Sequence, residues 1–183
     1  MITTADLDSA TKGRLAADDP ETARLLEGGL GICRQWCGWH VTPERDHDLA
    51  IIDGDTRGGG PWLRVPTMNL VELQSVFEEG VELDVEAIDW SSQGRLIKQD
   101  GMYWSRRPGA IAVEMKHGYD LAPGFESAVI NYIVRTSMTV AVGGRERTGV
   151  GPFVYAPTPL EDCSAFTSQE QFLLWHYKLE PYP

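Results

Sequence analysis

Apolar residues recur at spacings of three and four through Ala23, Leu26, Leu30, Cys33 and Cys37, the pattern of one helical stripe. Asp18-Asp19-Pro20 supplies a cap and a proline at the first helical position, and Gly38 supplies a stop, so the spacing predicts a helix over Pro20–Cys37. Gly28, Gly29 and Gly31 interrupt it, each costing up to about 1 kcal/mol relative to alanine. Two readings stand: a weakened helix, or close approach of another helix from this subunit or a neighbour. Upstream, Thr3 and Thr4 are N-cap candidates for a short helical turn near Ile2–Leu7.

The middle of the chain changes period. Trp39–Ile52 reads as a strand or pair of strands, followed by the loop Asp53-Gly54-Asp55-Thr56-Arg57-Gly58-Gly59-Gly60. Pro61–Val65 and Val71–Phe77 read as strands, the second by alternation, with a turn at Glu78-Glu79-Gly80. Val81–Val85, Ala87–Trp90, Arg95–Gln99 and Ala110–His117 complete the β region. Alternation implies one buried and one wet face, as in an antiparallel sheet.

Pro123 opens the next helix, with Phe125, Val129, Tyr132, Ile133 and Thr136 on its buried face. Its β-branched residues make it a poor isolated helix, so packing must hold it. Residues Gly143–Gly151 read as flexible, and Phe153–Pro159 (FVYAPTP) as an extended arm that proline keeps from being helical. A last helix is expected over Ser164–Leu179, capped at Thr167 or Ser168, with Phe172, Trp175 and Leu179 on one face.

Composition narrows the class. The 183 residues suit one domain, with 42% hydrophobic residues. No apolar run of about 18 residues predicts a membrane span. MITTADLDSATKG lacks the basic start and apolar core of a secretory signal. Three cysteines argue against a disulfide framework and fit a reducing cytoplasm. The net charge of -11 comes from 16 basic and 27 acidic side chains. No Lys/Arg cluster exceeds Arg106-Arg107, against the basic patch of a protein that grips DNA from outside. The acidity reads as solubility, or as a channel wall that DNA phosphates pass without sticking.

Candidate chemistry is thin. Asp53 and Asp55, with Asp46, His47 and Asp48 nearby, could suggest a magnesium-bound hydrolytic site, but successive side chains of a strand point apart. Their loop also lacks the closing Glu of an EF-hand and the Lys-Ser/Thr of a P-loop. Cys33, Cys37 and His40, with Cys163, could suggest zinc, against the bland reading of buried core thiols. His117 beside Asp120 could be a base, but no nucleophile motif such as G-x-S-x-G accompanies it. Gly118 suits a tight turn, and Asp120 is expected to bond backbone amides ahead of the helix. Trp62, Trp90, Trp104 and Tyr103 read as core rather than as a ligand-stacking set. Arg106-Arg107 reads as a solvated turn, with contact to phosphate or an acidic neighbour as the alternative. No catalytic residue, metal site or cofactor is assigned.

The run Trp90–Ser137, WSSQGRLIKQDGMYWSRRPGAIAVEMKHGYDLAPGFESAVINYIVRTS, holds an ordered set: W-S-x-x-G-x-L, then R-P, then His117-Gly118-Tyr119-Asp120 ahead of a helix. With the helix end Trp36-Cys37-Gly38-Trp39-His40, this order resembles the head-to-tail connector (head-completion adaptor) proteins of tailed bacteriophages over roughly Pro20–Ser137. From Thr139 onward the chain departs from the pattern. The resemblance implies an α+β fold: a helical core from 1–39 and 120–142, a β-rich insertion over 40–119, and an arm plus C-terminal helix over 143–183. It implies a structural, non-enzymatic virion protein, made in the host bacterial cytoplasm and placed in the neck. Implied partners are the portal, the next neck or tail protein, and its own copies in a closed ring, commonly of twelve. Viral DNA would pass through without sequence-specific binding, and no membrane is involved. Asp46, Asp48, Asp53 and Asp55 are the candidate channel-facing acids. Phe153, Tyr155, Trp175, Tyr177 and Tyr182 are the candidate partner contacts. A stopper or tail terminator, a metal-dependent hydrolase and an acidic DNA mimic are the alternatives.

Overall fold

The computed structural model describes residues 2–52, 60–141 and 166–179, with the side chains of 138–141 outside the description. It is an α+β fold, with an antiparallel β region inserted between helices. Asp53, Asp55, Phe153, Tyr155, Cys163 and Tyr182 lie outside the described residues, as does the expected arm. The residues fall into two compact units, one from Ile2–Cys33 and Gly124–His176, the other from Arg34–Pro123 and Tyr177–Pro183.

The first unit is helical. Helix α1 (Thr4–Thr11) begins with a capping box in which Thr3 N–H and Oγ1 both donate to Asp6. Helix α2 (Pro20–Cys37) starts with Asp19 Oδ1 accepting from Glu21 N–H at 2.9 Å. Its buried face runs Thr22, Leu26, Gly29, Cys33, Cys37. Ala23 is exposed, one position off the expected stripe, because the inward row begins at Thr22. Helix α3 (Pro123–Ala141) buries Phe125, Ala128, Val129 and Ile133. A Cβ on Gly29 would stand 2.6 Å from Ile133 Cγ1, whereas Gly28 and Gly31 face open space. Close helix packing therefore explains one of the three glycines.

Helix α4 spans Ser168–Trp175, shorter than expected, capped by Thr167 with Glu170 completing the box. Leu174 and Glu170 face inward, while Phe172 and Trp175 are 71% and 66% exposed. The expected apolar face is thus the outer one. The inward Glu170 is paid for by a two-pronged bond to Arg135 of α3, at 3.1 and 2.9 Å.

In the second unit, strands β1 (Arg45–Ile52), β2 (Trp62–Arg64), β3 (Leu70–Glu78), β4 (Val81–Leu83), β5 (Ile88–Trp90), β6 (Arg95–Lys98) and β7 (Ile111–His117) make two antiparallel sheets. Their orders are β1-β7-β3-β4 and β2-β6-β5. Side chains of both sheets, including Val76, Val113 and Met115 from one and Leu63 and Leu96 from the other, share one core with Trp104. Strand β7 alternates strictly. Strand β3 does not: it buries Leu70, Leu73 and Val76, at steps of three. Register shifts against β7 between Leu70 and Glu72 and between Leu73 and Ser75 account for this, each bulge moving the side chains to the other face. The β3–β4 hairpin turns through Glu79 and Gly80, both with positive φ (52° and 84°), the geometry of a two-residue primed turn.

Trp39–Glu44 forms no strand, so only the second half of the expected Trp39–Ile52 span is β. Val85–Ala87 forms a short 3-10 turn that ends the strand expected over Val81–Val85.

Candidate functional site

The His117-Gly118-Tyr119 turn at the end of β7 is tied to three distant segments of the β unit. His117 Nε2 lies 2.7 Å from Asp48 Oδ2 of β1, with the imidazole side chain 3% exposed. Gly118 has φ +108°, and a Cβ there would meet the Pro43 carbonyl oxygen at 2.8 Å, so only glycine fits. Gly118 N–H donates to Asn69 O at 3.0 Å, and Asn69 Nδ2 donates back to Gly118 O at 2.6 Å. Tyr119 N–H donates to Val41 O at 2.7 Å.

The segment after α2 meets this turn. Gly38, at φ +80°, closes the helix by donating to Arg34 O. The Arg34 guanidinium donates to Thr42 O, and His40 Nε2 lies 2.7 Å from Pro43 O. Trp39 and His40 set their rings against His117, each with centroids 6.2 Å apart. Burial drives the His40 pKa down to about 4, a shift the Pro43 bond opposes.

The C-terminal residues lock onto the same place. Trp39 Nε1 donates to Tyr177 O at 2.6 Å, Leu179 N–H donates to Cys37 O at 2.8 Å, and Tyr177 meets Tyr119 edge-on at 5.7 Å. The Leu179 bond satisfies a carbonyl that the end of α2 leaves open. Tyr177 is thus half-buried within its own chain, whereas Trp175 is exposed.

Asp120 is exposed and makes no hydrogen bond to the described residues. The helix starts at Pro123, so Asp120 lies too early to act as its cap.

The polar cluster of β1 is divided among separate partners. Asp46 Oδ1 accepts from Gln74 Nε2 at 2.6 Å, His47 Nδ1 lies 2.9 Å from Glu114 Oε1, and Asp48 is held by His117. The bond to Glu114 raises the His47 pKa, and the same bond lowers that of Glu114. The separation follows from a bulge between Arg45 and Asp48, where His47 adopts φ 54°. Among the described residues, no three His, Cys, Asp or Glu side chains are grouped to hold a metal ion. Cys33 and Cys37 are buried, and burial raises the Cys37 thiol to about 12. No helix among the described residues is long and apolar enough to cross a membrane.

The aromatic set is likewise dispersed in role. Trp104 is buried in the core beneath Lys98, Trp62 sits under Arg95, and Trp90 and Tyr103 are exposed. Arg107 meets an acidic neighbour, Glu79, at 3.9 Å.

Sequence reading missed Asp48, Asn69 and Glu114 as partners of these residues. Only the period-two alternation of β7 hinted at which side His117 would take.

No family model matches the chain, and no curated protein does. Solved structures do. A chain from the neck of an empty GTA particle, computed with C6 symmetry, aligns with 100% of this chain and 91% of its own length, at 12% identity and TM-score 0.57. A chain from the neck of a native GTA particle, computed with C12 symmetry, aligns with 100% of this chain and 94% of its own, at 8% identity and TM-score 0.56. Over its whole length, this chain shares the fold of chains that build the neck of GTA particles.

Proposed function

We propose that the chain is a structural neck protein of a tailed phage or phage-like particle, a head-to-tail connector of the adaptor type. The observation that carries this is the full-length fold shared with two neck chains. The residue order W-S-x-x-G-x-L, R-P, H-G-Y-D supports the same reading from the sequence. The chain acts as a collar subunit: copies close into a ring, twelve in the adaptor case, between the portal and the next neck or tail protein. Ring closure uses heterologous contacts, one face of a subunit against a different face of its neighbour.

No bond is made or broken in this function. Among the described polar groups that could have suggested catalysis, Asp46, His47, Asp48 and His117 are engaged by neighbouring side chains, as His117 is by Asp48. The acidic surplus lines the channel in part and keeps DNA moving by denying its phosphates cationic partners. Exposed Asp46, with Asp53 and Asp55, suits that role; Asp48 is drawn toward His117. Exposed Phe172 and Trp175 on α4 suit contact with the portal or a neighbouring subunit, joined by Phe153, Tyr155 and Tyr182.

Deleting the gene tests this. The reading predicts DNA-filled heads that lack tails and lose their DNA. Normal tailed particles would refute it.

A further inference from the structure

The motifs Trp36-Cys37-Gly38-Trp39-His40 and His117-Gly118-Tyr119-Asp120 lie far apart in the chain, and the fold brings one histidine from each together. The rings of His40 and His117 stand edge to face with their centroids 6.2 Å apart.

Their nitrogens are used unequally. Nε2 of His40 lies 2.7 Å from Pro43 O, and Nε2 of His117 lies 2.7 Å from Asp48 Oδ2. A carbonyl oxygen and a carboxylate both accept, so each Nε2 carries the hydrogen. In a neutral imidazole the other nitrogen is then a bare acceptor. Burial, which holds the His40 pKa at about 4, keeps that ring neutral at pH 7. Both Nδ1 atoms are buried and meet no donor among the described residues.

Two donors lie stranded in the same neighbourhood. Arg34 gives one guanidinium nitrogen to Thr42 O, yet its Nε–H is buried without an acceptor among the described residues, and the Thr42 hydroxyl is buried without a partner. Thr42 is 2% exposed and the His117 side chain 3%. Native chains seldom leave one buried polar group unpaired. Here four meet, from the end of α2, the segment after it and the end of β7, and they require a shared partner.

The chemistry of the four names that partner. Two lone-pair acceptors and two hydrogen donors match a water molecule, which donates twice and accepts twice. An anion would face two bare lone pairs. A metal cation would suit the two Nδ1 atoms but stand against the Arg34 guanidinium, which stays charged. Buried waters typically make about three bonds to groups of this kind.

We propose that one buried water sits between His40 and His117, donating to both Nδ1 atoms and accepting from Thr42 Oγ1 and Arg34 Nε. It ties the end of α2 to the last residue of β7 and fixes the tautomer of both rings. All four residues belong to the β unit of a single chain, so the site is present in the free subunit, whether or not that subunit builds a neck.

A crystal structure of the whole chain, at a resolution that shows ordered water, tests it. The proposal expects one peak within hydrogen-bond distance of both Nδ1 atoms and of at least one of the two donors. A dry junction would overturn it. So would a water touching only one ring, a peak with the anomalous signal of a transition metal, or rings turned so that Nδ1 bonds to a protein atom. Thr42→Val decides the matter in solution, because valine keeps the shape and loses the hydroxyl. With water bound, the exchange breaks one of its bonds and should lower the melting temperature by roughly 2–4 °C. In a dry junction the same exchange removes an unpaired buried hydroxyl, so an unchanged or raised melting temperature would contradict the proposal.

Discussion

His117 Nε2 and Asp48 Oδ2 stand 2.7 Å apart, joining the last residue of β7 to the strand beside it. The imidazole is almost wholly buried, and its bond fixes the turn that leads toward α3. Removing the carboxylate leaves a buried ring nitrogen without its partner. Asp48→Ala or His117→Ala should destabilise the chain by about 2 kcal/mol, the range for hydrogen bonds to charged groups. Urea denaturation checks this, and an unchanged midpoint would mean that the pair contributes nothing.

His40 makes stability depend on pH. Its pKa is about 4 in the folded chain, against an ordinary value near 6.5. Between these values the unfolded chain binds more protons, so the folded state loses stability as pH falls from about 6.5 to about 4. Exposed His47 shifts upward and works in the opposite sense. His40→Gln should flatten the loss in a series of melting curves, whereas His47→Gln should not.

The three glycines of α2 should respond differently to alanine. Gly29→Ala meets Ile133 and should cost about 1–3 kcal/mol by overpacking, with partial recovery in Ile133→Val. Gly28→Ala and Gly31→Ala face open space on a helix and should each stabilise by roughly 0.5–1 kcal/mol. Thermal melts of the three variants decide it.

Glu170 joins the cap of α4 to Arg135, with Thr167 N–H also donating to it at 2.7 Å. Glu170→Ala removes the two-pronged bond to Arg135 and opens the cap, for a loss of about 2 kcal/mol. Hydrogen exchange should show the amides of α4 losing protection first. Unaltered protection there would contradict the role given to this pair.

Local signals carried much of the fold. Asp19-Pro20 and Gly38 bracketed α2, Pro123 opened α3, and β7 lies within the strand expected over Ala110–His117. What failed was whatever depended on distant partners. The bulges of β3 arise from pairing with β7 and leave no local mark, so alternation marked the strand but not its buried row. The outward face of α4 looked like a core face because the inward position is a glutamate, made tolerable by Arg135 far back in the chain. The turn at Gly118 was legible from H-G-Y-D, but its partners Asp48, Asn69 and Val41 were not, since each comes from elsewhere in the sequence.

A collar subunit seats on the portal, and imaging the chain together with portal protein shows whether this one does. The expected image is a rotationally symmetric ring, coaxial with the portal and enclosing an open channel. A chain that stays monomeric and unbound beside intact portals would contradict it.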